Sequence, residues 1–256
     1  MTGLKLSDLA AVKRLPMGNG KNILKTNDYM LTAIQELVPM ASPLHKRRNR
    51  YTKRGFDIAL SIFLILILLP WMIPLFGILI KLNSKGPVFF VQKRNKQNGN
   101  VFKCIKFRTM IVNQEADLRS TGENDERITS FGRFLRFTHF DELPQLINVF
   151  MGDMSLVGPR PHMIIENIYF QGMIKEYILR NEVKPGITGL SQSSGFFGYT
   201  ENTEFIKQRL FLDLLYIKKW SLRIELNILQ KTIWGMITKL RTCVKGGAKH
   251  YKSATA

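Results

Sequence analysis

The stretch from Ile58 to Ile80, IALSIFLILILLPWMIPLFGILI, carries no charged residue. As one helix it would just reach across a hydrocarbon core of about 30 Å, which makes it a membrane segment. It starts too far into the chain for an ordinary cleaved leader, and no small-residue cleavage pattern follows it, so a retained anchor is expected. Pro70 and Pro74 sit at its centre. Each removes a backbone donor and crowds the preceding turn, which kinks or breaks a helix. Two arms of about a dozen residues would each rise roughly 18 Å, enough to enter one leaflet but not to cross both. Residues 50–84 therefore read as a re-entrant helix hairpin kinked at its central prolines. A kinked spanning helix is the alternative, because prolines do occur in spanning helices.

Working outward, Lys46, Arg47, Arg48, Arg50, Lys53 and Arg54 precede the segment, and Lys81, Lys85, Lys93, Arg94 and Lys96 follow it. Near-equal basic flanks fit two ends on the same, cytoplasmic face better than the one-sided bias of a single span. The formal net charge of +19 implies anionic partners: phosphates, lipid head groups or nucleic acid. The two cysteines, Cys104 and Cys243, and the four scattered histidines show no zinc-type spacing, so any metal should rest on carboxylates and phosphates. Residues 1–49 show no sustained periodicity and read as a basic, partly disordered tail. Their terminal run His45-Lys46-Arg47-Arg48 either lies on anionic head groups or is simply solvated. Residues 242–256 read as a basic C-terminal tail.

Residues 85–241 form the remaining unit. VFFVQ (88–92) and VFKCIKF (101–107) flank Asn98-Gly99, the signature of a β-hairpin. Alternation puts Lys106 and Arg108 on one face, either a basic platform for a diphosphate or a solvated strand face. Farther on, Leu143, Leu146, Ile147 and Phe150 have helical spacing. A helix starting near Asp141 would have Asp141 as N-cap and Pro144 in its first turn. Asp141 and Glu142 would then sit at a positive helix end close to Arg133 and Arg136, a setting that also holds phosphate; a plain cap with a solvated neighbour explains the same residues.

Gly152 to Pro161 reads as a turn, a short strand and a rigid loop that presents Arg160 between two prolines. Pro185 to Leu190 reads as a tight glycine-rich turn, and GFFGY (195–199) as a flap. From Thr203 to Arg241 apolar residues alternate with lysines, and Trp220 and Trp234 stand among basic residues. Amphipathic helices at a membrane interface and helices packed on a core fit this pattern equally.

The motifs taken together resemble the bacterial sugar transferase family, the monotopic polyprenol-phosphate phosphoglycosyl transferases that prime capsule, exopolysaccharide and O-antigen synthesis. The residues that carry the resemblance are Lys53-Arg54-Gly55-Phe56-Asp57, Lys106-Phe107-Arg108-Thr109-Met110, Leu135-Arg136, Asp141-Glu142-Leu143-Pro144-Gln145 and Gly152-Asp153-Met154-Ser155. Gly158-Pro159-Arg160-Pro161, Pro185 to Leu190 and Tyr216 to Leu222 follow in order. The resemblance implies an α+β protein: a re-entrant membrane helix kinked at Pro70 and a small cytoplasmic catalytic domain with interfacial helices, at the bacterial inner membrane. It implies transfer of a phospho-sugar from a UDP-sugar to undecaprenyl phosphate with release of UMP. Asp141 would be the nucleophile and Glu142 the ligand of a Mg2+ cofactor, with Lys106, Arg108, Arg136 and Arg160 around the phosphates. The sequence departs from the family pattern at Leu69, His139, Phe140 and Ser191. Longer members carry further spanning helices and a domain before this core, where this sequence has its basic tail.

The rival from another class is a non-enzymatic basic protein that binds membrane surfaces through its charge. It accounts for the net charge but not for an acidic pair set among arginines. Nucleic-acid binding has no recognised module here. The sugar, the polysaccharide initiated and the oligomeric state are not legible in the residues.

Overall fold

The computed structural model describes residues 30–113, 121–122, 125–196, 198, 200 and 202–246. It mixes helices with two small sheets around one long apolar helix. Residues 30–37 form a first helix, α1, followed by a 3-10 turn at Pro43–His45 and then by α2, Arg47–Asn83. The hairpin strands are β1 (Phe89–Asn95) and β2 (Val101–Phe107), and α3 (Ser130–Thr138), α4 (Gln145–Met151) and β3 (Ser155–Val157) follow. Next come α5 (Ile164–Met173), β4 (Gly186–Thr188), the single turn α6 (Leu190–Ser193), α7 (Thr203–Lys218) and α8 (Leu222–Gly246).

Within residues 1–49, read as a basic, partly disordered tail, residues 30–45 are structured. Met30, Ile34 and Leu37 repeat at helical spacing and are buried with Leu44 in the main core. Two turns of period were too short to stand out from the flanking polar sequence, and burial supplies the stability that an isolated helix this short lacks. Residues 1–29 and 247–256, which hold the rest of both expected tails, lie outside the described residues.

The expected hairpin is present. β1 and β2 pair antiparallel from Phe89 opposite Phe107 to Asn95 opposite Val101. The connection turns on Asn98 and Gly99, both at positive φ. Near Pro185 the glycine-rich turn carries more than a turn: β4 pairs in parallel with β3. A Cβ on Gly186 would lie 2.1 Å from the Gly158 nitrogen, so the two backbones meet where only glycine fits.

Helix α2 runs unbroken for 37 residues through Pro70 and Pro74. The prolines were expected to split it into two arms. In apolar surroundings a freed carbonyl has no better partner than its own helix, so helical geometry persists around them. Both ends of α2 are fastened to the same folded body. At the first end, Lys53 donates to the Val157 carbonyl at 3.0 Å and pairs with buried Glu225. Asp57 accepts from the Ser155 hydroxyl and the Leu156 N–H, each at 3.0 Å. Glu225 also accepts from Tyr216 and Trp220, both at 2.7 Å. At the other end, the Asn83 carboxamide oxygen accepts from Ser130 Oγ and the Phe131 N–H, at 2.9 and 3.2 Å. Phe76 packs on Phe107, Phe131 and Phe140 with ring centroids 5.6 to 5.9 Å apart. Between these fastenings Phe63, Leu66, Trp71 and Leu75 are exposed.

The C-terminal helices divide the two readings of their pattern. Helix α7 is core, with Ile206, Leu210, Phe211, Leu214 and Ile217 buried, and Trp220 is buried too. Helix α8 buries Ile228 yet exposes Leu226, Ile233 and Trp234. Lys53→Met should leave Glu225 a buried, unpaired charge at a cost of about 3 to 5 kcal/mol. Thermal unfolding in lipid nanodiscs would read this as a clearly lowered transition; an unchanged transition would show that the pair does not hold α2 to the body.

Candidate active site

Asp141 and Glu142 lie on a 3-10 turn, Phe140–Glu142, between α3 and α4. The helix expected from Asp141 begins four residues later, at Gln145, with Pro144 as its N-cap. The turn is set by His139, which ends α3 in the left-handed region with φ 61°. For a residue with a Cβ that conformation costs about 1 to 2 kcal/mol. The His139 N–H donates to the Arg136 carbonyl at 3.2 Å, and its own carbonyl accepts from the Glu142 N–H at 3.3 Å. The reversal thus presents both carboxylates on one turn.

Three elements bring cations to them. Lys106, next to last in β2, donates from Nζ to Glu142 Oε1 at 2.8 Å. Arg160, in the loop after β3, grips both Glu142 oxygens, Nη2 to Oε1 at 2.7 Å and Nη1 to Oε2 at 3.2 Å. That two-point fork holds the carboxylate in a fixed plane. Arg136, in the last turn of α3, donates from Nε to Thr109 Oγ1 at 2.9 Å and contributes its charge to Asp141. Thr109 can meet α3 because Gly132 has no Cβ; one there would lie 1.9 Å from the Thr109 carbonyl.

Arg108 does not join the group. It lies past the end of β2, and its guanidinium donates to Ser84 Oγ at 2.7 Å and to the carbonyls of Ser84, Lys85 and Pro87 at 2.9, 3.0 and 2.5 Å. It clamps the chain leaving α2 and faces no carboxylate. Alternation was a sound guide inside the strand and failed one residue beyond it.

The two carboxylates are electrostatically unequal. Burial alone would raise Glu142, but Arg160 and Lys106 outweigh it and hold the group well below the usual carboxylate range. Asp141 is pushed up to about 6, first by burial and then by the charge of Glu142, against the pull of Lys106, Arg136 and Arg160. Among the described residues no side chain hydrogen-bonds the Asp141 carboxylate. The arrangement is a compensated carboxylate beside a poorly stabilised one, and the second is the more reactive base and nucleophile.

Supports for this site lie outside the expected set. Arg180 donates to the Arg160 carbonyl at 3.0 Å and is itself held by Asp213 at 2.8 and 3.0 Å. Arg94 donates to the Pro161 carbonyl at 2.7 Å. The Arg160 loop is therefore pinned on both sides. The single acid in LFLDLL (210–215) was the available signal for Asp213, since a lone charge inside an apolar helix has a buried partner. Lys239 of α8 reaches His139 from a hundred residues away, and no local pattern announces that contact.

No group of three or more His, Cys, Asp or Glu side chains that could hold a metal occurs among the described residues. A hard cation carried in on a diphosphate needs only one or two protein carboxylates, a demand that Glu142 on its own can meet.

The bacterial sugar transferase family model matches residues 48–239, and the chain belongs to that family. A UDP-glucose:undecaprenyl-phosphate glucose-1-phosphate transferase of Klebsiella pneumoniae is 42% identical over 85% of this chain and 47% of its own length. A Caulobacter vibrioides protein of the same name is 37% identical over 87% of this chain and 84% of its own length. An undecaprenyl-phosphate galactose phosphotransferase of Salmonella typhimurium is 36% identical over 85% of the chain and 46% of its own length. The chain thus spans about half the length of the Klebsiella and Salmonella relatives.

Because the folded-state pKa of Asp141 lies above the ordinary value, ionising it costs stability. That cost is absent below the usual carboxylate range, grows as pH rises and is complete above about 6. Asp141→Asn should therefore stabilise the protein at pH 8 by on the order of 2 kcal/mol, with the gain vanishing near pH 4. Melting curves of both proteins across that range check the sign, and an Asn variant less stable at pH 8 would contradict the reading.

Proposed function

We propose that this bacterial sugar transferase is a membrane-anchored enzyme that moves a sugar phosphate from a UDP-sugar to undecaprenyl phosphate. The observation that carries the proposal is the Asp141 carboxylate, without a hydrogen bond from the described residues and ringed by Lys106, Arg136 and Arg160. In the first step an Asp141 oxygen attacks the sugar-bearing phosphorus. The bond from that phosphorus to the bridging oxygen breaks, and UMP leaves with its electron pair. In the second step a phosphate oxygen of the lipid attacks the same phosphorus. Its bond to Asp141 breaks, giving undecaprenyl-diphospho-sugar and restoring the carboxylate. Splitting one transfer in two is the ordinary advantage of a covalent intermediate.

Lys106 and Arg160 hold Glu142 in place and supply positive potential for the diphosphate. Glu142 would hold Mg2+ on the donor, and that ion would offset the charge that otherwise repels Asp141. Arg136 lies on the side of Asp141, suited to the in-plane oxygens of the transferred phosphate. Names of the relatives make UDP-glucose and UDP-galactose the first donors to test. The same names and the basic flanks of α2 support undecaprenyl phosphate as acceptor, with anchoring in the bacterial inner membrane and the catalytic body in the cytoplasm.

The topology belongs to the proposal. Lys53 and Asn83, thirty positions apart, would be separated by about 45 Å in a straight helix. Their contacts with one body support a helix that bends at Pro70, enters the bilayer and returns. Lipid-facing side chains from Phe63 to Leu75 then fill a single leaflet.

Two experiments follow. Purified protein in nanodiscs with undecaprenyl phosphate, Mg2+ and UDP-glucose or UDP-galactose should release UMP, with activity rising as pH passes through about 6 where Asp141 ionises. Asp141→Asn should lower the rate by at least about a thousandfold; a wild-type protein inert towards all UDP-sugars would favour the charge-driven membrane binder. For topology, cysteines placed at Tyr51 and Lys85 in a Cys243→Ser background should both react with an impermeant maleimide from the cytoplasmic side only. Labelling from opposite sides would establish a spanning helix.

A further inference from the structure

The proposed reaction accounts for the carboxylates and their cations but leaves one contact unused. Lys239, in the last turns of α8, places Nζ 2.7 Å from His139 Nε2 and 5.5 Å from the centre of the Phe137 ring. His139 is the left-handed residue on which the carboxylate turn pivots. An ammonium has no lone pair to accept with, so in this contact Lys239 Nζ donates and His139 Nε2 accepts. Its backbone is tied on both sides, to Arg136 before the turn and to Glu142 within it. Any freedom of the imidazole therefore passes to the Asp141 carboxylate through two residues of backbone.

We infer that Lys239 is a positioning residue for the transfer: it fixes the left-handed His139 and thereby aims Asp141, making α8 part of the active site. The inference rests on the proposed reaction. It concerns a residue that touches neither donor nor acceptor in that scheme, supplied by an element whose far face carries exposed Ile233 and Trp234.

The test uses the full chain in nanodiscs. Lys239→Met should lower kcat about tenfold while KM for UDP-glucose stays within about twofold, and Lys239→Arg should recover most of the rate. His139→Ala should give a similar loss, and the double variant should be no worse than either single one, because both remove the same contact. Unchanged melting temperature and membrane partitioning guard against misfolding. Nitrogen NMR of labelled histidine gives a readout independent of turnover: the His139 Nε2 signal should shift in Lys239→Met. A Lys239→Met enzyme with wild-type kcat, additive losses in the double variant, or an unmoved Nε2 signal would each overturn the inference. A wild type inert towards every UDP-sugar would instead remove the reading of the reaction, while the histidine signal still decides whether Lys239 holds His139.

Discussion

Fastening both ends of one apolar helix to one folded body is the constraint on which the rest of the molecule depends. The buried set of Lys53, Asp57, Glu225, Tyr216 and Trp220 ties the start of α2 to β3, α7 and α8. Asn83, Arg108 and the phenylalanines around Phe76 tie its end to α3 and the hairpin. Charges taken out of water at the first junction are costly to leave unpaired, so the junction tolerates little change. The second junction is apolar and aromatic, and Phe140, which belongs to it, is the neighbour of Asp141. The turn that carries both carboxylates is thus built directly on the seat of the long apolar helix.

Charge does the complementary work. Three cations face two carboxylates, and the compensation is deliberately uneven. Glu142 takes a lysine and both prongs of an arginine, whereas Asp141, among the described residues, has the field of these two and of Arg136 without a hydrogen bond, and is left costly to ionise. A group that lowers the stability of its own fold and lies where three cations converge is the usual mark of a site kept for chemistry. The pinning of the Arg160 loop by Arg94 and Arg180 continues the same logic outward: the guanidinium is held on Glu142 by bonds made within the fold itself.

What the residues revealed tracks how local each signal was. The apolar run, the hairpin around Asn98-Gly99, the strand before Gly158 and the acidic pair were readable because each is encoded within a few residues. Arg108 was misplaced because alternation has no meaning past the last strand residue. The helix after Asp141 was started too early because a 3-10 turn ahead of Pro144 leaves no periodic trace. Helix α1 was missed because its three core contacts span only two turns. The equal readings of the C-terminal helices were divided by burial alone, since an apolar face reads the same whether it meets core or lipid. Asp213 had a signal in its apolar surroundings, but Lys239 had none.

The proposed reaction rests on a covalent role for Asp141. Intact-protein mass spectrometry of the nanodisc-embedded chain, incubated with UDP-glucose and Mg2+ without lipid acceptor, tests it most directly. The account predicts one added hexose phosphate, mapped to the peptide holding Asp141 and discharged when undecaprenyl phosphate is supplied. Lipid-dependent UMP release by a preparation that never carries such an adduct, under quenching fast enough to trap an acyl phosphate, would contradict it and point to direct transfer between the two substrates.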